Sequence, residues 1–224
     1  MNYEDVMNEL HSLSDEKYKA FSERIVNTRL RLYGVRTPDL RKLARRIKKE
    51  YTNFAHDFFA KDEYCFEEVL LCGWQMGKDA SENVRLLKRL IPRMASWAHT
   101  DQIISHFNWV RDKQAFLQEF QYLKAGSEYE VRAYVMFLFS LCVNERDLPL
   151  VISELPTVPL GAYYVDMAVA WLVCEVTVKF YTEGLKLLKA DYLSPWVVNK
   201  AISKCRDSFR LTLWQKEELK GMRR

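Results

Sequence analysis

Trp97 and Asp101 are the side chains whose types and spacing could do chemistry, and they stand four residues apart in the segment 96–101, SWAHTD. On a helix, residues four apart project from the same side, so an indole face and a carboxylate would border one small site. This combination suits a cation, because the ring face and the carboxylate both attract positive charge. The simpler interpretation makes Trp97 a core residue and Asp101 the cap of the following helix.

Two apolar helices further along the chain carry isolated polar or aromatic side chains. The first, predicted over 131–143, is apolar on nearly every side, and Arg132 is its only charge. A buried arginine needs carboxylates, backbone oxygens or a phosphate, so Arg132 is either a tie to a neighbouring helix or a ligand-binding group. The second, over 163–179, places Asp166 and Trp171 among valines and alanines. Asp166 is either a buried pair partner or the alternative carboxylate, and Trp171 taken alone fits a core position.

A basic helix is predicted earlier in the chain. Thr37, Pro38 and Asp39 indicate its start, with Thr37 as the cap, and it runs to about residue 51. Gly34 can adopt the left-handed conformation that ends the preceding helix. Beside its apolar stripe the basic helix carries Arg41, Lys42, Arg45, Arg46, Lys48 and Lys49. These cations form either a solvated face or a surface that faces phosphates.

The rest of the sequence reads as helix after helix, and few glycines or prolines interrupt it. Further helices are predicted over about 15–30, 63–76, 101–109, 111–123 and 194–206. Helical pairs recur at about 30 to 45 residues, which is typical of degenerate helical repeats. Such repeats stack into a solenoid with a concave binding face, so one domain over residues 1–224 is expected.

Composition narrows the class of protein. Hydrophobic residues make up 49% of the 224, enough for a substantial core, and the net charge of +4 is compatible with nucleic acid as a partner. Five cysteines without a CxxC pair predict reduced, mostly buried thiols in a cytosolic protein. The N-terminal sequence does not read as a signal peptide, and no apolar run reaches transmembrane length. We therefore expect a cytoplasmic location and no contact with membranes.

Metal and cofactor chemistry has little support in the sequence. His99, Asp101 and His106 lack the spacing of an HExxH motif or of a cysteine–histidine cluster, so no metal is predicted. The chain also has no Walker A loop and no dinucleotide-binding fingerprint, and no cofactor is predicted.

Four short motifs occur in the order and spacing of a known family: YGVRTPDLR at 33–41, WAHTD at 97–101, VRA at 131–133 and AVAW at 168–171. From about residue 15 to its end, the chain resembles the DNA alkylation repair family of HEAT-like DNA glycosylases, the AlkD-type proteins. The resemblance implies an all-α, HEAT-like helical-repeat solenoid that holds duplex DNA on a concave, basic face. Catalytic members of the family excise cationic alkylated bases such as N3-methyladenine and N7-methylguanine.

The resemblance also assigns residues. It places the catalytic aspartate at Asp101, the cleft tryptophans at Trp97 and Trp171, and the cleft arginine at Arg132. Three positions differ from the family pattern, and the first is Arg36, which follows Val35 where the family has a neutral amide. Ser96 stands where catalytic members often carry the first of two consecutive tryptophans, and Ile25 lies about where the family has an aromatic residue in an early helix.

The function predicted from these features is that of an alkylpurine DNA N-glycosylase. It would excise positively charged N3- or N7-alkylated purines from double-stranded DNA in base excision repair, as a monomer and without a cofactor. The side chains predicted to contact DNA are Arg36, Thr37, Arg41, Arg45, Lys200, Lys204 and Arg206. The alternative is a non-catalytic HEAT-like scaffold that binds branched or damaged DNA, or a protein partner.

Overall fold

A computed structural model describes residues 1–105 and 107–224, which form two compact units, Met1–Ile103 and Ile104–Arg224. Every regular element among the described residues is helical and none is a strand, so the predicted all-α class is confirmed. None of the described helices combines the length and the apolar character that a membrane crossing needs. A single domain over residues 1–224 stays a prediction.

The first unit contains α1 (Tyr3–Ser12), α2 (Glu16–Val26), α3 (Thr37–Glu50), α4 (Phe54–Phe59), α5 (Phe66–Gly73), α6 (Ala80–Leu90) and α7 (Trp97–Ile103). The second contains α8 (Lys113–Glu119), α9 (Glu128–Cys142), α10 (Leu148–Glu154), α11 (Tyr163–Lys179), α12 (Tyr181–Lys189), α13 (Pro195–Asp207) and α14 (Leu213–Gly221). Short 3₁₀ turns span Ile91–Arg93, Gln121–Ala125 and Leu155–Thr157.

The long helices of the second unit form one series, in which α9, α11 and α13 lie side by side. Arg132 of α9 donates to the Tyr164 carbonyl of α11, 32 residues away. The Cys205 thiol of α13 lies 3.8 Å from the Cys174 carbonyl of α11, 31 residues away. The shorter helices α10, α12 and α14 each pack against the long helix that precedes them. Contacts that recur about 30 residues apart are what stacked helical pairs produce, so the predicted helical-pair repeat is confirmed.

The first unit has a corresponding series in α3, α5 and α7. Gln75, just after α5, donates to the Ala44 carbonyl of α3 from a distance of 31 residues in sequence. His99 of α7 bonds to the Phe66 carbonyl of α5 over 33 residues. The same repeat spacing therefore sets the position of α7, which carries Trp97 and Asp101.

Several predicted helix ends are wrong, and the turns explain why. α2 ends at Val26 rather than near residue 30, because Asn27 takes a left-handed conformation with φ 45°. Gly34 is also left-handed, with φ 79°, but it lies in the loop before α3 rather than at the end of α2. α3 has Thr37 as its first residue, and Arg36 occupies the cap position without a side-chain hydrogen bond.

The elements next to the candidate site also differ from the prediction. The helix expected over 63–76 is the shorter α5, and the segment 111–123 divides into α8 and a 3₁₀ turn. The helix expected over 101–109 is replaced by α7, which begins at Trp97 and ends at Ile103. Asp101 therefore lies inside a helix, and the interpretation of Asp101 as the cap of a following helix is wrong.

The core explains why two helices are apolar on almost all sides. In α9, eight consecutive residues from 131 to 138 are buried, because α8, α10 and α11 pack around this helix. In α11 the neighbours are α9, α12 and α13, and Gly184 lets α12 come close, since a Cβ there would lie 2.3 Å from the Thr177 Cα. The five cysteines are free and buried, as predicted.

Candidate active site and nucleic-acid interface

The residues at the start of α7 fix this helix to the end of α2. The Ser96 hydroxyl donates to the Val26 carbonyl at 2.5 Å, and the Trp97 indole Nε1 donates to the Ile25 carbonyl at 2.8 Å. Carbonyls in the last turn of a helix lack partners within the helix, so Ser96 and Trp97 satisfy two of them for α2. Ser96 is fully buried, and its oxygen also accepts from the Ala98 backbone N–H at 3.2 Å. A second tryptophan would not fit the role that Ser96 has here.

His99 is a structural residue at the centre of α7. Its side chain is fully buried and stacks on the Phe66 ring at 4.3 Å. Nδ1 accepts from the Ala95 N–H at 3.1 Å, which leaves the proton on Nε2, and Nε2 donates to the Phe66 carbonyl at 3.0 Å. Burial lowers the pKa of His99 to about 3, so the ring is neutral near pH 7. His99 therefore holds α7 against α5 and does not act as a base.

Asp101 lies one turn after Trp97 on the same side of α7, and both side chains are partly exposed. Next to it, the Thr100 hydroxyl is 3.0 Å from Asp101 Oδ1 and 2.8 Å from the Trp97 carbonyl. Because one hydroxyl carries one proton, Thr100 can donate to only one of these oxygens at a time. Trp97 and Asp101 therefore lie on one side of the same helix, and that they border one site stays a prediction.

The other end of α7 is also held in place. The Trp74 indole donates to the Gln102 carbonyl at 3.2 Å, one residue after Asp101. Gly73 allows α5 to approach α7 closely, since a Cβ at that position would lie 2.6 Å from the Ile103 side chain. The Arg41 guanidinium stacks on the Trp74 indole, with its central carbon 4.3 Å from the ring centroid. Trp74 thus connects a predicted DNA-contacting cation with the helix that carries Asp101.

Arg132 is buried near the start of α9, with only 4% of its surface exposed. Its guanidinium donates to the Tyr164 carbonyl at 2.5 Å, and the Glu128 carboxylate accepts from the Tyr164 N–H at 2.6 Å. Both bonds tie the first turns of α9 and α11 together. The interpretation of Arg132 as a structural tie between α9 and α11 is therefore supported.

Trp171 and Asp166 both lie on α11 but have different surroundings. The partly exposed Trp171 ring contacts the Phe139 ring of α9, with 4.5 Å between centroids. Asp166, the alternative carboxylate, accepts from the Gly161 N–H at 2.9 Å in the first turn of α11. Asp166 is partly exposed rather than buried, so its prediction as a buried pair partner is wrong.

The predicted DNA-contacting residues of the first unit lie on and just before α3. Arg36 makes a two-nitrogen contact with the Asp15 carboxylate, at 2.8 and 3.1 Å, and lies over the Tyr18 ring. A backbone N–H and the Arg36 guanidinium together lower the pKa of Asp15. Thr37 and Arg41 are partly exposed, and Arg45 is exposed.

A buried glutamate sets the conformation of the loop that leads into α3. Glu67 of α5 is 1% exposed, and its carboxylate accepts from the backbone N–H groups of Tyr33, Gly34 and Val35 at 3.0, 2.9 and 3.4 Å. Burial raises the pKa of Glu67, and the three amides oppose that rise. The YGVR motif thus wraps around a carboxylate, and this loop fixes where Arg36 and Thr37 are presented.

The remaining predicted cations, Lys200, Lys204 and Arg206, are partly exposed on α13 of the second unit. Trp97 and Asp101 belong to the first unit, whereas Arg132 and Trp171 belong to the second. A single cleft that contains all four stays a prediction. The sequence did not single out Thr100, Trp74, Glu67 or Phe139, and their roles depend on contacts that only the fold reveals.

No metal-binding group of His, Cys, Asp and Glu side chains occurs within residues 1–105 and 107–224. His106, one of the three side chains weighed for a metal, lies outside the described residues.

Comparison with known proteins connects this geometry to a family. No curated protein matches the chain significantly. The family model described as "DNA alkylation repair enzyme" matches residues 6–159. The matched part includes Trp97, Asp101 and Arg132, and it ends before Trp171 and α13. Since the match covers more than half of the sequence, the chain belongs to the family of DNA alkylation repair enzymes.

Proposed function

We propose that the protein is an alkylpurine DNA N-glycosylase, which hydrolyses the bond between deoxyribose and an N3- or N7-alkylated purine in double-stranded DNA. The observation that carries the proposal is the position of Trp97 and Asp101, one turn apart on a short helix that is fixed at both ends. A reactive carboxylate must be held within a fraction of an ångström of its working geometry, and such anchoring is what a catalytic helix requires.

The chemistry of the lesion explains why so few groups would suffice. An N3- or N7-alkylated purine carries a positive charge, so it can leave without being protonated and no general acid is needed. The remaining demand is to stabilise a sugar with oxocarbenium character and to direct a water molecule to it. A carboxylate placed beside the sugar can do both, because it attracts the cation and can accept the proton of the water.

The other residues have supporting roles in this scheme. Trp97 offers a ring face to the same positive charge, and Trp171 would do so from the second unit. Thr100 can orient the carboxylate when its hydroxyl donates to Asp101 Oδ1, which lies 3.0 Å away. Arg132 carries a positive charge and would oppose the sugar cation, so its place is on a phosphate that flanks the lesion.

Duplex binding is assigned to the basic residues, because each phosphate they neutralise releases a counterion. Arg36, Arg41 and Arg45 supply this contact from the loop before α3 and from α3 itself, and Lys200, Lys204 and Arg206 supply it from α13. The neutral Thr37 would add a hydrogen bond to a phosphate. The protein would act as a monomer in the cytoplasm, on a concave face formed by its repeats.

The test is release of methylated bases from alkylated genomic DNA, with wild-type protein and an Asp101→Asn variant. The carboxamide keeps the size of the side chain and removes the charge, so the rate of excision should fall about 100- to 1,000-fold. Thermal unfolding and duplex affinity should stay close to wild type, because Asp101 is partly exposed. Asp166→Asn is the matched control, since Asp166 is the competing carboxylate and is partly exposed as well.

Two results would count against this assignment. If the Asp101→Asn variant excises at the wild-type rate, Asp101 is not the catalytic carboxylate. If only Asp166→Asn loses excision, the catalytic carboxylate is Asp166 of α11. If the wild-type protein binds DNA but releases no base, the alternative of a non-catalytic DNA-binding scaffold is favoured.

A further inference from the structure

Tyr163 and Trp196 form an exposed aromatic pair in the second unit that the proposed excision chemistry does not use. Tyr163 is 58% exposed and Trp196 is 43% exposed. Their ring centroids are 5.8 Å apart, and the ring planes are tilted by 60°. Large aromatic side chains are usually covered in a folded protein, so an exposed pair of this kind points to a binding surface.

The pair lies at the ends of two adjacent helices. Tyr163 is the first residue of α11, and Trp196 is the second residue of α13. Tyr163 also contacts the ring of Tyr164, whose backbone is held by Glu128 and Arg132 of α9. The aromatic pair is therefore mounted on anchored helix ends and not on a loose loop.

The pair is close to the predicted cleft tryptophan. Tyr163, Met167 and Trp171 follow one another at four-residue spacing on α11. Because a helix rises 1.5 Å per residue, the backbone of Trp171 lies about 12 Å along α11 from that of Tyr163. This is the span of a few nucleotides of a DNA strand.

Cations accompany the aromatic rings on α13. Lys200 follows Trp196 by four residues and Lys204 by eight, so one row of side chains contains an indole and two ammonium groups. Asp207, at the end of the helix, is the only acid in α13. Aromatic rings beside a track of cations are the arrangement by which proteins hold unpaired nucleotides, since bases stack on the rings and phosphates pair with the cations.

We propose that Tyr163 and Trp196 form a stacking site for an unpaired base of a DNA strand, with Lys200 and Lys204 on the adjoining phosphates. The proposal rests on DNA binding by this family but not on excision. A paired base inside an intact duplex has both faces covered by its neighbours, so only an unpaired base can stack on these rings. A protein partner would bury the rings equally well, but it would not explain two cations in register with Trp196.

The experiment compares two unmodified DNA probes, one an intact duplex and the other the same duplex with a short single-stranded gap. Binding is measured by fluorescence anisotropy with wild type, Trp196→Ala and Tyr163→Ala. Wild type should prefer the gapped probe, and each alanine variant should reduce affinity for that probe by about 5- to 100-fold while affinity for the intact duplex changes little. Trp196→Phe keeps a ring and should restore most of the preference. No base is excised from unmodified DNA, so this result is independent of the glycosylase activity.

Two further variants serve as controls. Trp214 on α14 is 69% exposed and lies outside the pair, so Trp214→Ala should keep the preference for the gapped probe. Lys200→Gln should weaken binding to both probes and reduce the salt dependence, because a phosphate contact does not depend on base pairing. The proposal is overturned if wild type binds both probes equally, or if Trp196→Ala lowers both affinities to the same extent. It is also overturned if the alanine variants alter only self-association, as measured by sedimentation.

Discussion

Protonation of His99 should make the fold sensitive to mild acid, and the size of the effect can be worked out from its burial. The pKa of an unfolded histidine is about 6.5, whereas burial lowers the pKa of His99 to about 3. Between these values the unfolded chain takes up a proton that the folded chain excludes. The stabilisation is complete above pH 6.5 and is lost progressively as the pH falls towards 3.

Each pH unit below 6.5 lowers the free energy of unfolding by about 1.4 kcal/mol, so the loss at pH 5 is about 2 kcal/mol. For a chain of this size, a change of 2 kcal/mol corresponds to a fall in Tm of about 4–8 °C. His99 stands between Trp97 and Asp101 on α7 and bonds to the Phe66 carbonyl. Protonation at Nδ1 would instead break the bond that the ring accepts from the Ala95 N–H, and it would place a charge in the core beside the candidate carboxylate.

The assay is urea unfolding of wild type and His99→Gln at a series of pH values from about 7.5 to about 5.0. This series spans the pKa of an unfolded histidine, about 6.5. Glutamine can still donate to the Phe66 carbonyl, but it does not titrate. The variant should be less stable at the highest pH and should show a shallower fall with acid, since other groups still titrate. His11→Gln, at an exposed position on α1, should keep the steep wild-type slope. Equal slopes for wild type and His99→Gln would refute the reasoning.

Two further predictions concern packing and DNA binding. Gly73→Ala should lower the free energy of unfolding by about 1–3 kcal/mol, because the new Cβ would lie 2.6 Å from the Ile103 side chain. Urea unfolding measures this change. Unchanged stability would show that α5 and α7 can separate at no cost. Arg45→Ala should weaken duplex binding and reduce the slope of log affinity against log salt by about 0.9, the value for one phosphate contact, as measured by anisotropy at several salt concentrations. Lys189→Ala, at an exposed position on α12 outside the predicted set, should leave that slope unchanged.

The sequence by itself determined the class of fold and the side chains worth testing. Helical spacing of apolar residues and the scarcity of glycine and proline are local properties, and they were enough to predict an all-α chain of repeated helical pairs. The same local rule put Trp97 and Asp101 on one side of a helix, because residues four apart share a face wherever a helix forms. The apolar surroundings of Arg132 likewise predicted its burial, and the structure shows 4% exposure.

Only the tertiary structure decided what holds these residues in place. The bonds of Ser96 and Trp97 to the end of α2 join residues 70 and 72 positions apart, and no local pattern records them. The neutral state of His99 follows from complete burial, which depends on how α5 packs on α7.

Helix ends were the least predictable feature, for a related reason. Apolar spacing continues past Val26, but Asn27 turns left-handed, and the carbonyls exposed at that point become partners of α7. A local pattern specifies which residues favour a helix, whereas the point at which a helix stops depends on contacts with distant segments. For this reason the sequence indicated the candidate carboxylate and its neighbouring indole, whereas the packing of α2, α5 and α7 determined which contacts hold them in place.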